Sequence, residues 1–225
     1  MKVCTDATLF GAMAPIAGGE QVLDIGSGSG LLSLMAMQLG AGQVTAVELT
    51  EEACRDAQVN FAESPWVNGL ELVNQSIQTF SAQSTTQYDL IISNPPFFEN
   101  HSKNPSSLRQ AARHTDLLPF DELIQIVSER LKTSGLFYLL IPVSAVARLV
   151  ELAGERGLHL IRRVDYAGFE TSTAKVAALT FRDRADRFVY RRLVIYNAPR
   201  SYTEESAGYL RPFLLRFAAV ATTVD

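Results

Sequence analysis

Cysteine is almost missing from this chain, with only Cys4 and Cys54 among 225 residues. Two isolated thiols at that separation match no metal-ligand pattern, and they suit a reducing compartment better than a disulfide scaffold. A globular chain of this length buries roughly 70% of the surface its unfolded form exposes, so no such staple is needed. Long apolar runs are missing too. The longest, such as residues 136–143, fall far short of the roughly 20 residues that span a bilayer. Residues 1–11 contain Asp6 and have no extended apolar core, so they do not read as a secretory signal. These absences predict a soluble, cytoplasmic protein with no membrane partner and no metal. An excess of positive charge is the third absence. Lys and Arg total 20 against 24 Asp and Glu, for a net charge of −4, which argues against a non-specific nucleic-acid binder. The arginines are nevertheless uneven, with Arg182, Arg184, Arg187, Arg191 and Arg192 crowded together. Such a cluster is either a solvated hairpin rim or a local basic face compatible with a selective RNA substrate.

What the chain does have is 47% hydrophobic and 20% charged residues, the composition of a globular domain, and we expect one domain over residues 1–225. Short apolar strands alternate with helical segments, which predicts an α/β fold with a mostly parallel sheet and helices on both faces. Strands are expected at 21–25, 43–48, 70–74, 88–93 and 135–141. Helices are expected at 6–17, 30–39, 50–62, 120–131 and 144–156. Beyond Gly157 the rhythm changes. Residues 159–166, 175–181 and 188–196 read as successive strands with no helix between them, so the sheet should finish with an antiparallel hairpin. Residues 203–217 form an amphipathic segment interrupted by Pro212.

Two motifs carry chemistry. The first is Asp24-Ile25-Gly26-Ser27-Gly28-Ser29-Gly30, between the first strand and its helix. Glycines there bring backbone N–H groups to a ligand at a helix N-terminus. Dinucleotide enzymes place a related turn at the same point, but no third glycine follows at their spacing, since Leu31, Leu32 and Ser33 come after Gly30. Asp24 can take an ammonium group, and Glu48, ending the second strand, can accept from ribose hydroxyls. S-adenosyl-L-methionine is the cofactor this pattern fits. Ser76, after the third strand, is a candidate adenine contact, and Asp6 either closes over the cofactor or caps its helix.

The second motif is Ser93-Asn94-Pro95-Pro96-Phe97-Phe98, leaving the fourth strand. Proline fixes φ and has no N–H, so neighbouring carbonyls are free to accept from a ligand. The Asn94 side-chain oxygen and the Pro95 carbonyl can accept both hydrogens of one planar –NH2 group while Phe97 stacks on its ring. Asn94, Pro95 and Phe97 are therefore the candidate catalytic residues. Arg109, Arg113 and His114 are candidate RNA contacts, set against helix-capping and loop roles for the same residues.

In this order the motifs resemble the class I S-adenosylmethionine-dependent methyltransferases acting on amino or amide nitrogens. Lys2-Val3-Cys4-Thr5-Asp6, Leu9-Phe10-Gly11-Ala12, Ser64-Pro65-Trp66, Asn94-Pro95-Pro96-Phe97-Phe98 and Ala112-Arg113-His114 are more closely similar to the bacterial tRNA1(Val) adenine N6-methyltransferases. That resemblance implies a Rossmann-like seven-stranded sheet, S-adenosylmethionine as donor, and methylation of the adenosine 3′ of the anticodon in a valine tRNA. No obligate protein partner is expected. Two departures stand out. The chain starts almost on its first family segment, which members usually precede with an aromatic- and lysine-containing stretch, and Ser76 stands where an acidic residue is common. Two other acceptors fit the same clamp: a glutamine amide of a peptide-release factor, and guanine N2 of ribosomal RNA. Enzymes of the former kind carry a helical N-terminal domain, for which the residues ahead of Asp24 leave no room.

Overall fold

The structure is a computed structural model that describes residues 4–95 and 118–217. Five strands, β1 (Gln21–Ile25), β2 (Gln43–Glu48), β3 (Leu70–Asn74), β4 (Tyr88–Ser93) and β5 (Leu131–Pro142), pair in parallel. After β1 and β2 begin, their side chains are buried without alternation. Parallel strands covered on both faces show that pattern. The remaining strands of the main sheet are β6 (His159–Ala167), β7 (Val176–Arg182) and β8 (Val189–Val194). Their order is β3-β2-β1-β4-β5-β7-β6-β8.

β7 runs antiparallel to both β5 and β6, so the expected hairpin is β6–β7. It does not finish the sheet. The chain passes the start of β6, and β8 lies parallel along that strand's outer edge, from Val189 opposite Arg162 to Val194 opposite Ala167. The sheet thus carries an eighth strand beyond the expected seven. A small separate ribbon follows, β9 (Tyr196–Ala198) with β10 (Ser201–Tyr202).

Helices cover both faces. α1 (Thr5–Ala12), α2 (Leu31–Leu39) and α7 (Glu204–Leu210) bury Leu9, Phe10, Leu32, Ala36 and Leu210 against Val22, Leu90, Tyr138 and Leu193. α3 (Glu51–Ala62) packs Ala57 and Phe61 on Ala46 of the same face. The other face is covered by α4 (Ile77–Gln83), α5 (Phe120–Arg130) and α6 (Val146–Glu155). Phe80, Leu123, Val127 and Leu149 there meet Leu23, Ile91 and Phe137. α1 is docked by aromatic contact, its Phe10 ring stacked on Tyr138 at 4.1 Å between centroids.

Three boundaries differ from the sequence expectation for local reasons. α1 stops at Ala12 rather than 17, because Pro15 lacks an N–H and disfavours helical geometry at the residue before it. α4 is an additional helix, headed by Ser76, whose Oγ accepts from the Thr79 N–H at 3.1 Å. β5 begins at Leu131, directly after α5, and absorbs a register shift in which Ser134 takes φ 65°.

Strand order reverses direction between β1 and β4, so ligands should collect at the carboxyl ends of these two strands. The turn leaving β1 is braced from outside: a Cβ on Gly30, whose φ is +82°, would come within 2.3 Å of the Phe61 ring. Gly30→Ala should therefore lose about 2 kcal/mol or more, from backbone strain and overpacking together. Thermal melting should show a drop of several degrees, part of it recovered by Phe61→Leu. Melting within about a degree of the parent would contradict this account.

Candidate active site

The turn after β1 is held by its neighbour strand. Gly26 N and Ser27 N both donate to the Val47 carbonyl, at 2.9 and 3.2 Å, and Gly30 N returns to Ser27 O at 2.9 Å. Gly26, Gly28 and Gly30 all have positive φ, at 72°, 57° and 82°, a region costly for residues with a Cβ. A Cβ on Gly26 would meet nothing within 4 Å, so that position faces open space. Ahead of the turn, Asp24 is 0% exposed. Its Oδ2 accepts from Ser33 Oγ at 2.7 Å, yet among the described residues its buried Oδ1 has no partner, and neither does the buried Ser27 Oγ. Burial pushes the Asp24 carboxyl up to about 7, the Ser33 hydrogen bond opposes this, and the nearby Glu48 charge adds to it. A buried carboxyl with one free oxygen suits a cationic ligand group.

Glu48 is nearly buried, at 8% exposure. Gly28 N donates to its Oε2 at 2.9 Å, and Thr50 donates to Oε1 through N and Oγ1, both at 2.8 Å. A carboxylate offers about four acceptor directions, so one remains on Oε2, the oxygen that already accepts from Gly28 of the glycine turn. Thr50 stands at the head of α3 as expected, but its hydroxyl serves Glu48 rather than the helix N–H groups. Asn74 Nδ2 donates to the carbonyls of Glu48 and Leu49, at 3.0 and 3.2 Å, and fixes the end of β2.

At the end of β4, buried Ser93 donates from Oγ to the Ile25 carbonyl at 2.9 Å. That bond ties the β4 exit to the glycine turn. Asn94 and Pro95 follow immediately and are half-buried. Phe97, Arg109, Arg113 and His114 lie outside the described residues. Ser76 is committed by its hydroxyl to the first turn of α4, where it also pairs with Thr79 Oγ1 at 2.8 Å. Asp6 sits in the first turn of α1 next to Thr5, whose Oγ1 bonds the Tyr196 hydroxyl at 3.0 Å. Burial raises its carboxyl and the Lys175 charge, just ahead of β7, opposes that rise. Among the described residues no cluster of metal-ligating side chains exists, and no helix is long and apolar enough to cross a membrane.

Ser33, Thr50, Asn74 and Ser93 complete this site, and sequence reasoning did not assign them to it. Ser33, Asn74 and Ser93 lie 9, 26 and 68 residues from the partners they reach, so their spacing carries no signal, whereas Thr50 is two residues from Glu48 and its contact is local.

A family model for the methyltransferase small domain matches residues 7–140. The tRNA1(Val) (adenine(37)-N6)-methyltransferase of Shewanella sp. strain MR-4 is 38% identical over 220 residues, covering 96% of this chain and 93% of that protein. The protein of the same name from Escherichia coli O157:H7 is also 38% identical, with 96% and 89% covered. This chain belongs to the tRNA1(Val) adenine N6-methyltransferase family. Solved structures agree on the fold. A predicted O-methyltransferase from Agrobacterium tumefaciens superposes with a TM-score of 0.71 at 15% identity, covering 92% of this chain and 95% of that one. A methyltransferase from Pyrococcus furiosus gives 0.58 at 20% identity, covering 81% and 84%. At those identities the likeness speaks for the architecture alone.

The arginine cluster is largely spent within this methyltransferase. Arg182 pairs with Asp186 at 3.2 Å and Arg191 pairs with Glu205. Arg192 reaches Glu170 at 3.4 Å and donates to the carbonyls of Phe169, Glu170 and Ser172. The rim reading of that cluster therefore fits these three better than an open basic face.

The Asp24 shift has a pH signature. Its folded pKa, about 7, lies above the ordinary 3.8, so between these values the folded chain holds a proton that the unfolded chain has released. Its contribution to stability falls as pH rises through that window and is fully unfavourable above it. Asp24→Asn keeps an acceptor for Ser33 without the charge. It should raise the ligand-free melting temperature at about pH 8 and change it little at about pH 4. Equal effects at both pH values would show that Asp24 is not titrating as described.

Proposed function

We propose that this chain transfers a methyl group from S-adenosylmethionine to N6 of an adenine in a tRNA, the adenosine at position 37 of tRNA1(Val) named for its relatives. One observation carries the reading. The buried acidic cradle after β1 and the Asn94-Pro95 exit of β4 are joined at the switch point of the sheet by the Ser93–Ile25 bond. The residues proposed for cofactor and acceptor thus leave neighbouring strand ends, which supports the reading, and family membership supplies the chemistry.

The residues fit the cofactor. Asp24 Oδ1, buried and unpartnered, would receive the ammonium of the methionine part, and the open direction on Glu48 Oε2 would accept a ribose hydroxyl. Gly26 leaves clear the space a side chain would fill. Ser76 and Asp6 are secondary candidates, Ser76 through the end of β3 and Asp6 as a residue closing the rim. S-adenosylmethionine, when bound, supplies a methyl group activated by a positive sulfur. On the acceptor side, Asn94 Oδ1 and the Pro95 carbonyl accept the two N6 hydrogens. This turns the nitrogen lone pair toward the methyl group and stabilises the positive charge that grows on nitrogen. Alignment is the main demand on the protein, and no strong base is required, because the methylated cation releases a proton readily to water. Phe97 would hold the base by stacking, and the adenine must leave its own stack to reach the crevice, which costs least in a loop. Arg109, Arg113 and His114 are the candidates for contacting the RNA backbone.

Asn94→Ala should lower the methyl-transfer rate on the order of 10²-fold or more while cofactor affinity stays nearly unchanged. Rate assays and calorimetric titration with S-adenosylhomocysteine would separate the two effects, and retention of more than about half the activity would rule out the clamp. Glu48→Ala should do the reverse and weaken the titration directly. Labelled S-adenosylmethionine offered with purified tRNA and, separately, with a peptide-release factor should label the tRNA alone. Label entering only the release factor would transfer the site to glutamine chemistry.

A further inference from the structure

An exposed phenylalanine on an immobilised loop is the feature that the methyl-transfer site leaves unexplained. Phe169 follows β6 at the carboxyl edge of the sheet and is 39% exposed. Burying such a ring is worth roughly 1.5–3 kcal/mol, and a loose loop would have the freedom to fold it inward. This loop is not free. Arg192 on β8 donates from one guanidinium nitrogen to the carbonyls of Phe169, Glu170 and Ser172, at 3.3, 2.6 and 3.1 Å, and Ser172 N donates to Phe169 O at 2.9 Å. Behind Phe169 the rings continue. Tyr196 lies 5.8 Å away, tilted by 40°, Tyr202 stacks on Tyr196 at 5.0 Å, and the Arg216 guanidinium stands 4.9 Å over Tyr202. The Tyr196 hydroxyl is bonded to Thr5 of α1, so this wall is fastened to the helix that carries Asp6, while exposed Lys175 stands just ahead of β7.

From the end of β4 to the end of β6 there are three strand spacings, about 14 Å. The aromatic wall therefore stands a short way along the same edge from Asn94, with cationic side chains beside it. Rigid rings with adjoining positive charge are what an unpaired base and its phosphate require. We propose that Phe169, backed by Tyr196 and Tyr202, is a stacking platform for an unpaired nucleotide next to the adenine that enters the Asn94 crevice. The inference rests on the RNA-methylating reading above and names the element that holds the loop while its target base is out of stack. Arg192, a member of the cluster that the sequence left as either a hairpin rim or a basic face, is on this account a positioning residue that presents Phe169.

Direct binding and methylation test this separately, using the full chain and the anticodon stem–loop of the valine tRNA. Phe169→Ala should weaken stem–loop binding and raise the KM for tRNA roughly 5- to 100-fold, with kcat and cofactor affinity little changed. Phe169→Trp should restore both values, whereas Phe169→Leu, apolar but unable to stack, should not. The control is Phe188→Ala. That ring is 50% exposed but precedes β8, at the opposite edge of the sheet, and its loss should leave RNA binding as it is. A stem–loop carrying 2-aminopurine beside the target should lose fluorescence on binding the parent and Phe169→Trp, and not on binding Phe169→Ala. Binding and KM for Phe169→Ala within about twofold of the parent would overturn the platform even if the parent methylates tRNA. If the parent bound the stem–loop in a Phe169-dependent way without methylating it, the platform would stand and the proposed reaction would fall. Failure of the parent to bind the stem–loop would overturn both.

Discussion

Asp24 is a carboxyl group placed where water cannot reach it, at the end of a central strand, with one oxygen given to Ser33 and the other unpartnered. Leaving a buried polar atom unpaired costs free energy that a purely structural turn would have no reason to bear. The architecture around it follows from keeping that group in place. β1 is flanked by β2 and β4, the turn beyond it hangs from the Val47 carbonyl, and α2 starts where Gly30 nests against Phe61. Glu48 adds a second carboxylate close enough to disfavour charge on the first. The two groups sit beside one glycine turn, Glu48 with both oxygens already accepting hydrogen bonds and Asp24 with Oδ1 unpartnered among the described residues.

The carboxyl edge divides the work along the strand order. The β1–β2 half holds the acidic cradle, β4 contributes the polar Asn94 exit, and the β5–β7–β6–β8 half carries aromatic and basic side chains on its rim. Ser93 is the joint between the first two, because its hydroxyl spans from one strand end to the next. On the far half, the extra strand β8 has a double role. It extends the sheet, and it delivers Arg192 beneath the loop that presents Phe169. The internal pairing of Arg182, Arg191 and Arg192 explains how an acidic protein can carry an arginine cluster without forming a broad basic surface.

Much of this was legible in order of residues. Strands β1 to β4 lie where apolar runs bounded by turn residues put them, and the glycine turn and the Asn94 motif announce themselves through residues that few backbones need. Helix α1 is ended by Pro15, a local rule that outweighs the apolar pattern continuing past it, and a short helix such as α4 offers only one cap and the two large apolar residues Ile77 and Phe80 as signal. The placement of β8 is not legible in this way, because its partner is chosen by competition between sheet edges and not by its own composition.

Sequence alone therefore determined the fold class, the two motifs, the cofactor type they fit and the family resemblance, because each depends on residues adjacent in the chain or on the period of burial. Tertiary structure decided which polar groups complete the site. Ser33, Asn74 and Ser93 reach their partners only after helices and strands have packed, whereas Thr50 meets Glu48 within two residues. The same holds for the arginines, whose charges count as free or spent according to what folding sets beside them. Hydrogen bonds and ion pairs act over a few ångströms, and such proximity between distant residues exists only in the folded chain.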